Sequence, residues 1–400
     1  MLRTPTSRSL STLNSIFLEY IQYAPLIANA RFEGQAHSYF CVASMQAIRF
    51  KEKNRLVVRD AHMEELANVD PSDMAAMVAS FPLMLKATTL SNEFLSEAIR
   101  IRNQGLDGIC IVAMGGSAIA GEICKEILAD SSEVPILCIR EYILPKTVNR
   151  RWVVIAVSYS GNTEETIAAY KEANRRECSV FVLTTGGILN QISNDLRKHM
   201  LPPTFQPRAA LPIILAGILP LLETLLNLEI TNLPKLSVEL AKKAAGWEQL
   251  PRSPKEMAHL LKGKIPLLIG WRHLVPVAYR AKCQFNENSK VFAAISQIPE
   301  IYHNEIEGTR SCIDHPISPV FLRSQEEDEK TKMGIESAAA IFQENGCHPE
   351  HLNLRFDSRI EEALGFTMYL DMVSVRLAEI LGVNPLSVER IAQMKRRLRD

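Results

Sequence analysis

Short apolar runs, each closed by a turn of small residues and followed by a helical stretch, recur along most of this 400-residue chain. Residues 108–114 form such a run, followed by Gly115-Gly116-Ser117 and helical spacing over 118–128. Residues 135–139 form the next. Residues 152–157 lead into Ser158-Tyr159-Ser160-Gly161-Asn162-Thr163 and a helix to about 173. Residues 179–183 close on Thr184-Thr185-Gly186-Gly187. Apolar runs of this length read as buried strands. Short connections between strand and helix impose right-handed crossovers, so a parallel sheet with helices on both faces is expected. A Lys- and Glu-rich helical connector over about 232–261 follows. The pattern then restarts, with strands at 266–269, 319–322 and 352–356, and helices from His273, over 326–344 and over 360–381. The expected fold is α/β, two doubly wound parallel-sheet domains at about 63–232 and 233–400.

Upstream of this pattern, residues 1–62 are expected to be a poorly packed extension. Its Ser/Thr-rich start bears Arg3 and Arg8, and reads equally as a transit-like leader or as sequence ahead of a true start at Met63. No apolar core with a small-residue cleavage site marks a signal peptide. The most apolar window, 209–228, is broken by Pro212, Pro220, Glu223 and Asn227, whereas a membrane span needs about 20 apolar residues. A buried helix is expected there, and no membrane partner. The 45 basic residues balance the 45 acidic ones, so no overall field favours nucleic acid. The basic run 395–399 reads as a solvated last helical turn. Eight cysteines, none in a C-x-x-C pair and several inside strand-like runs, fit buried thiols of a reducing cytoplasm.

Two strand ends carry chemistry. Paired Gly115 and Gly116, with Ser117, let a ligand approach backbone amides at a helix start, or make a simple tight turn. The dinucleotide-binding spacing of glycines is absent. Ser158, Ser160 and Thr163 put three hydroxyls within one turn at the next helix start. Asn162 and Glu165 have capping-box spacing there. Hydroxyls and free helix amides hold an anion without lysine, and with no Walker lysine a small monophosphate suits the site better than a nucleotide. Farther on, Glu287, flanked by Asn286 and Asn288, precedes His303, with a strand-and-turn run at 291–299 between them. A carboxylate and an imidazole are the side chains best suited to move protons near neutral pH. Joined to a phosphate grip, they point to proton abstraction beside the carbonyl of a sugar phosphate. A zinc reading of His303-Asn304-Glu305 lacks the second ligand pair.

The segments MGGSAIAGEI, VSYSGNTEET, QPRAALP, FNENSKV and PEIYHNEIEG, in this order, resemble the sugar-isomerase (SIS) domain proteins, and among them the bifunctional phosphoglucose/phosphomannose isomerases. The resemblance runs from about Met63 to the end. It implies two SIS-type, flavodoxin-like domains and an aldose–ketose isomerase acting on glucose 6-phosphate and mannose 6-phosphate through an enediolate, with no metal or other cofactor. It also implies a homodimer with its active site at the subunit interface. Under it, Ser158, Ser160 and Thr163 hold the phosphate, and Gly115, Gly116 and Ser117 line the sugar. Arg208 steadies the enediolate and Glu287 is the base. His303, supplied by the partner subunit, and Lys395 assist ring opening. The threonine tied in the family to mannose discrimination has no counterpart in Pro385-Leu386-Ser387-Val388. Another SIS-domain isomerase or amino-sugar enzyme, and a non-catalytic sugar-phosphate sensor, are the alternatives.

Overall fold

The computed structural model describes residues 69–70, 72–203 and 206–398. The readings made for residues 1–62, Met63 and Arg399 lie outside that range. The first sheet contains β1 (Gly108–Ala113), β2 (Ile136–Ile139), β3 (Trp152–Ser158), β4 (Ser179–Thr184) and β5 (Lys198–Met200), all parallel, in the order β2-β1-β3-β4-β5. Around it stand helices α1 (Asn92–Arg102), α2 (Gly115–Leu128), α3 (Glu164–Arg175) and α4 (Leu211–Leu226). Every residue of β1 and β3 is buried, as helices on both faces require. Strand alternation sorts the two faces. Ile109, Ile111 and Ala113 face the residues of α2 and α4, while Cys110 and Val112 face Ile167, Ala169 and Tyr170 of α3. Of the 16 residues of α4, only Pro220, Thr224 and Leu226 escape full burial. The apolar window is therefore a core helix, and among the described residues no helix is long and apolar enough to cross a membrane.

After α5 (Leu233–Ala245) and α6 (Pro254–Leu261), the second sheet contains β6 (Ile265–Trp271), β7 (Ala294–Ile298), β8 (Ile317–Leu322) and β9 (Glu350–Leu352), again all parallel, in the order β7-β6-β8-β9. Its helices are α7 (Val275–Gln284), α8 (Glu329–Glu344), α9 (Arg359–Leu381) and α10 (Glu389–Arg397). On the outer face Ile269 and Phe321 pack on Ile335, Ala338 and Phe342 of α8. On the inner face Leu268, Val320 and Leu322 belong to the same apolar core as α2 and α4, together with Val277 and Ala278 of α7 and Leu364, Phe366 and Leu370 of α9. The two sheets thus share one interior. In each, the chain steps from its first strand to one side and then back across to the other. The strand order reverses between β1 and β3, and again between β6 and β8.

Two local expectations are corrected. The strand expected at 352–356 is Glu350–Leu352. Leu354 and Phe356 are buried and alternate like a strand, but β8 ends at Leu322 and offers them no ladder. Asn162 does not cap α3. Thr163 occupies that position without a side-chain cap bond, and the Asn162 Oδ1 accepts the Ile188 amide at 3.1 Å. The short edge strand β5 has no apolar periodicity to announce it, and the final helix α10, where a last helical turn is expected, buries none of its residues.

Candidate active site

In a doubly wound sheet, ligands bind beyond the carboxyl ends of the strands where the order reverses. At the first reversal, β1 runs into Gly115 and β3 into Ser158. Gly115 has φ +53°, a backbone conformation that strains other residues. Ser158 is 2% exposed; its Oγ lies 2.8 Å from Thr163 Oγ1 and accepts the Gly161 amide at 3.1 Å. Ser160 is exposed, and its Oγ accepts the Asn162 amide at 3.3 Å. Gly161 has φ +69°, and a Cβ there would stand 1.7 Å from the Gly186 carbonyl. The hydroxyl turn is thus braced by the Gly186-Gly187 turn, whose Leu189 amide donates to the Gly161 carbonyl at 3.0 Å. Neither helix that starts here, α2 at Met114 or α3 at Thr163, has a side chain bonded to its first-turn amides. Such open helix starts favour anions.

Glu287 lies on a π-helical turn, Phe285–Ser289, that extends α7. Turns of this kind insert an extra residue and re-aim side chains, often at functional sites. Here the turn buries Phe285, Asn288 and Ser289 and leaves Glu287 half-buried. Asn288 Nδ2 donates to Ser374 Oγ at 2.9 Å and Ser289 Oγ to the Ser374 carbonyl at 2.6 Å, pinning the turn to α9. Asn286 Oδ1 accepts the Ala293 amide at 3.3 Å, so both amide neighbours brace the carboxylate-bearing turn. Glu287 lines a cavity of about 740 Å³ with Cys283, Lys290, Asn384, Ser387 and Arg390.

Arg208 joins the two halves. It comes from the turn before α4 and is 8% exposed. Its Nε donates to Asn288 Oδ1 at 3.0 Å, and its Nη2 donates to the Pro385 and Leu386 carbonyls, the latter at 3.0 Å. Burial pushes this guanidinium below the ordinary arginine value; the Glu287 carboxylate opposes that shift and Arg280 adds to it. Arg208 thus holds Asn288, the residue next to Glu287, directly. A Cβ on Gly116 would lie 3.7 Å from the Pro207 carbonyl, which brings the glycine turn to the residue before Arg208.

The structure thus gathers Gly115, Gly116 and Ser117 with Ser158, Ser160 and Thr163 at one sheet end, and Arg208 with Glu287 beside it. The hydroxyl turn does not itself line the Glu287 cavity. His303 is exposed on a 3-10 turn after β7 and lines no part of that cavity. Lys395 is exposed on α10; the start of that helix borders the cavity at Glu389 and Ile391, but Lys395 does not. Lys290 also lines the cavity. It takes the left-handed conformation (φ +60°), and its Nζ donates to the Ser387 carbonyl at 2.7 Å and to the Glu287 carbonyl. Burial lowers its pKa, and Arg208 lowers it further. Its position inside the FNENSKV segment was the available signal. Among the described residues no three of His, Cys, Asp and Glu are grouped so as to hold a metal ion.

Residues 252–398 match the family described as the bacterial phospho-glucose isomerase C-terminal SIS domain. The bifunctional phosphoglucose/phosphomannose isomerase of Aquifex aeolicus is 30% identical over 77% of this chain and 95% of its own. The protein of the same name from Pyrobaculum aerophilum is 30% identical over 79% and 95%. Among solved structures, tagatose-6-phosphate ketose/aldose isomerase from Escherichia coli superposes with a TM-score of 0.63 at 17% identity, covering 79% of this chain and 96% of that one. That degree of identity speaks for the shared fold. The sequence relatives carry the assignment further, and the chain belongs to the bifunctional phosphoglucose/phosphomannose isomerase family.

Proposed function

We propose that the protein interconverts glucose 6-phosphate and fructose 6-phosphate, takes mannose 6-phosphate as a second aldose, and needs no metal or other cofactor. The observation that carries this reading is Arg208. A buried cation from the first half grips Asn288, next to the half-buried Glu287, beside the open helix starts of the first sheet. The substrate phosphate sits among Ser158, Ser160 and Thr163, with the sugar along Gly115, Gly116 and Ser117. Glu287 takes the C2 proton of the open-chain aldose. The C–H electron pair forms the C1–C2 double bond, and the aldehyde oxygen takes the negative charge. Arg208, a fixed cation, steadies that charge. The C2 hydroxyl proton passes to the C1 oxygen, and the Glu287 carboxyl returns its proton to C1, leaving the ketose.

His303 and Lys395 act in ring opening. His303 enters the site of a second copy in a homodimer, a reading supported by its exposure and by its not lining the cavity of its own chain. Exposed Phe292, next to the Glu287 turn, exposed Ile391 and Met394 on α10, and exposed Leu398 just after it are apolar surface such a partner would cover. Ser387 lines the same cavity as Glu287. The reaction takes place in the cytoplasm. A coupled assay with each aldose, with and without chelator, tests the proposal. Turnover of both at rates a chelator leaves unchanged is expected. Loss of activity on chelation removes the metal-free route, and turnover of neither aldose removes the function.

A further inference from the structure

We infer that Arg280 is a positioning residue for this reaction, holding Arg208 and the Gly116 turn in register with Glu287; the inference rests on the isomerase reading above. Arg280 lies on α7, two turns ahead of Glu287, between the core residues Val277, Ala278 and Ala281. It is 2% exposed. Its Nε donates to Asp371 Oδ1 at 3.1 Å and its Nη2 to Asp371 Oδ2 at 2.8 Å, on α9. The same Nη2 donates to the backbone carbonyl of Arg208. The remaining nitrogen, Nη1, stands 3.9 Å from the place a Cβ on Gly116 would occupy.

One guanidinium therefore ties the helix that carries the base to the backbone of the residue that steadies the enediolate, and it faces the turn that lines the sugar. The two arginines cross between the halves in opposite directions. Arg208 reaches into the second half to bond Asn288, and Arg280 reaches back to bond Arg208. Packing alone does not call for an arginine here, since replacing a buried ion pair by apolar side chains is often neutral or stabilising. A planar fork that holds a carboxylate and a carbonyl together does call for one, and lysine does not reproduce it. Misplacement of a catalytic group by about 1 Å can cost about 100-fold in rate, so the bond from Arg280 to the Arg208 backbone bears on turnover while leaving the phosphate grip alone.

The test compares wild type with Arg280→Lys, and with the paired apolar variant Arg280→Met/Asp371→Leu, which keeps the fold if the single variant does not. The expected result is a kcat lowered about tenfold or more, with KM changed by less than about threefold. Affinity for a five-carbon aldonate phosphate, whose carboxylate mimics the enediolate, falls in step with kcat/KM, while affinity for a hexitol phosphate, which has no charge beyond its phosphate, is kept. Combining Arg280→Lys with Arg208→Lys adds little to the loss from Arg208→Lys alone, because the first acts through the second. Folded variants with kcat within about twofold of wild type, or with both phosphates weakened equally, overturn the role of Arg280 and leave the proposed function standing. A wild-type protein that isomerises neither aldose removes both.

Discussion

The two sheets reverse their strand order in the same way, yet the chain fills the two reversal points differently. At the first, hydroxyls and glycines occupy the strand ends, and the helices that follow start without side-chain caps. At the second, the chain supplies its own anion. The carboxylate of Glu362, 2% exposed, accepts Ser324 Oγ at 2.6 Å and the Gln325 amide at 2.8 Å, and lies 2.7 Å from His273 Nε2. Beside it Glu327 accepts the Ser324 amide at 2.7 Å, and α8 is capped by Asp328. A shared topology offers a place for a ligand and does not oblige the chain to keep it open. The second half gives up that place and contributes chemistry from its inner face instead, through the π turn after α7.

This contrast can be broken from either side. The larger effect is expected from Ser160→Glu, which puts a carboxylate into the first reversal as Glu362 does in the second. A like charge against the phosphate costs several kcal/mol, so KM for fructose 6-phosphate should rise by about 100-fold or more, with the thermal midpoint little changed because residue 160 is exposed. An unchanged KM would place the phosphate elsewhere. The smaller effect is expected from Glu362→Gln. Losing charge-assisted bonds to Ser324, Gln325 and His273 should lower stability by about 1.5–3 kcal/mol, read by urea unfolding, with KM unchanged. A raised KM there would mean that the second reversal also serves the substrate.

Much of the fold was legible because β1, β3, β4 and β8 are continuous apolar runs buried on both faces, and such runs admit little besides a covered parallel sheet. What escaped lacks that signal. β5 is a short edge strand of mostly polar residues, and 353–356 continues the alternation of β9 beyond the end of β8, with no neighbour to pair with. The hydroxyl turn was legible because Ser158, Ser160 and Thr163 are adjacent in sequence. Its bracing by Gly186-Gly187, and the diversion of Asn162 to Ile188 rather than to the helix cap, are tertiary facts. The link between Arg208 and Asn288 spans 80 positions, and only the fold brings it about. Asp371 left a fainter trace, as the one charge within residues 363–375, whereas Arg280 shares its helix with Lys282.

Hydrogen exchange at the sugar carbons puts the assignment of Glu287 to the hardest test. Wild type and Glu287→Gln are each incubated with fructose 6-phosphate in heavy water, and deuterium at C1 of the ketose and C2 of the aldose is followed by NMR. Wild type should incorporate solvent deuterium in that fraction of turnovers in which the protonated carboxyl of the half-buried Glu287 exchanges with water before it returns its proton. Glu287→Gln should bind the sugar phosphate with similar affinity while exchange and turnover fall by about 100-fold or more. Exchange or turnover in the variant at the wild-type rate would contradict a proton moved by this carboxylate.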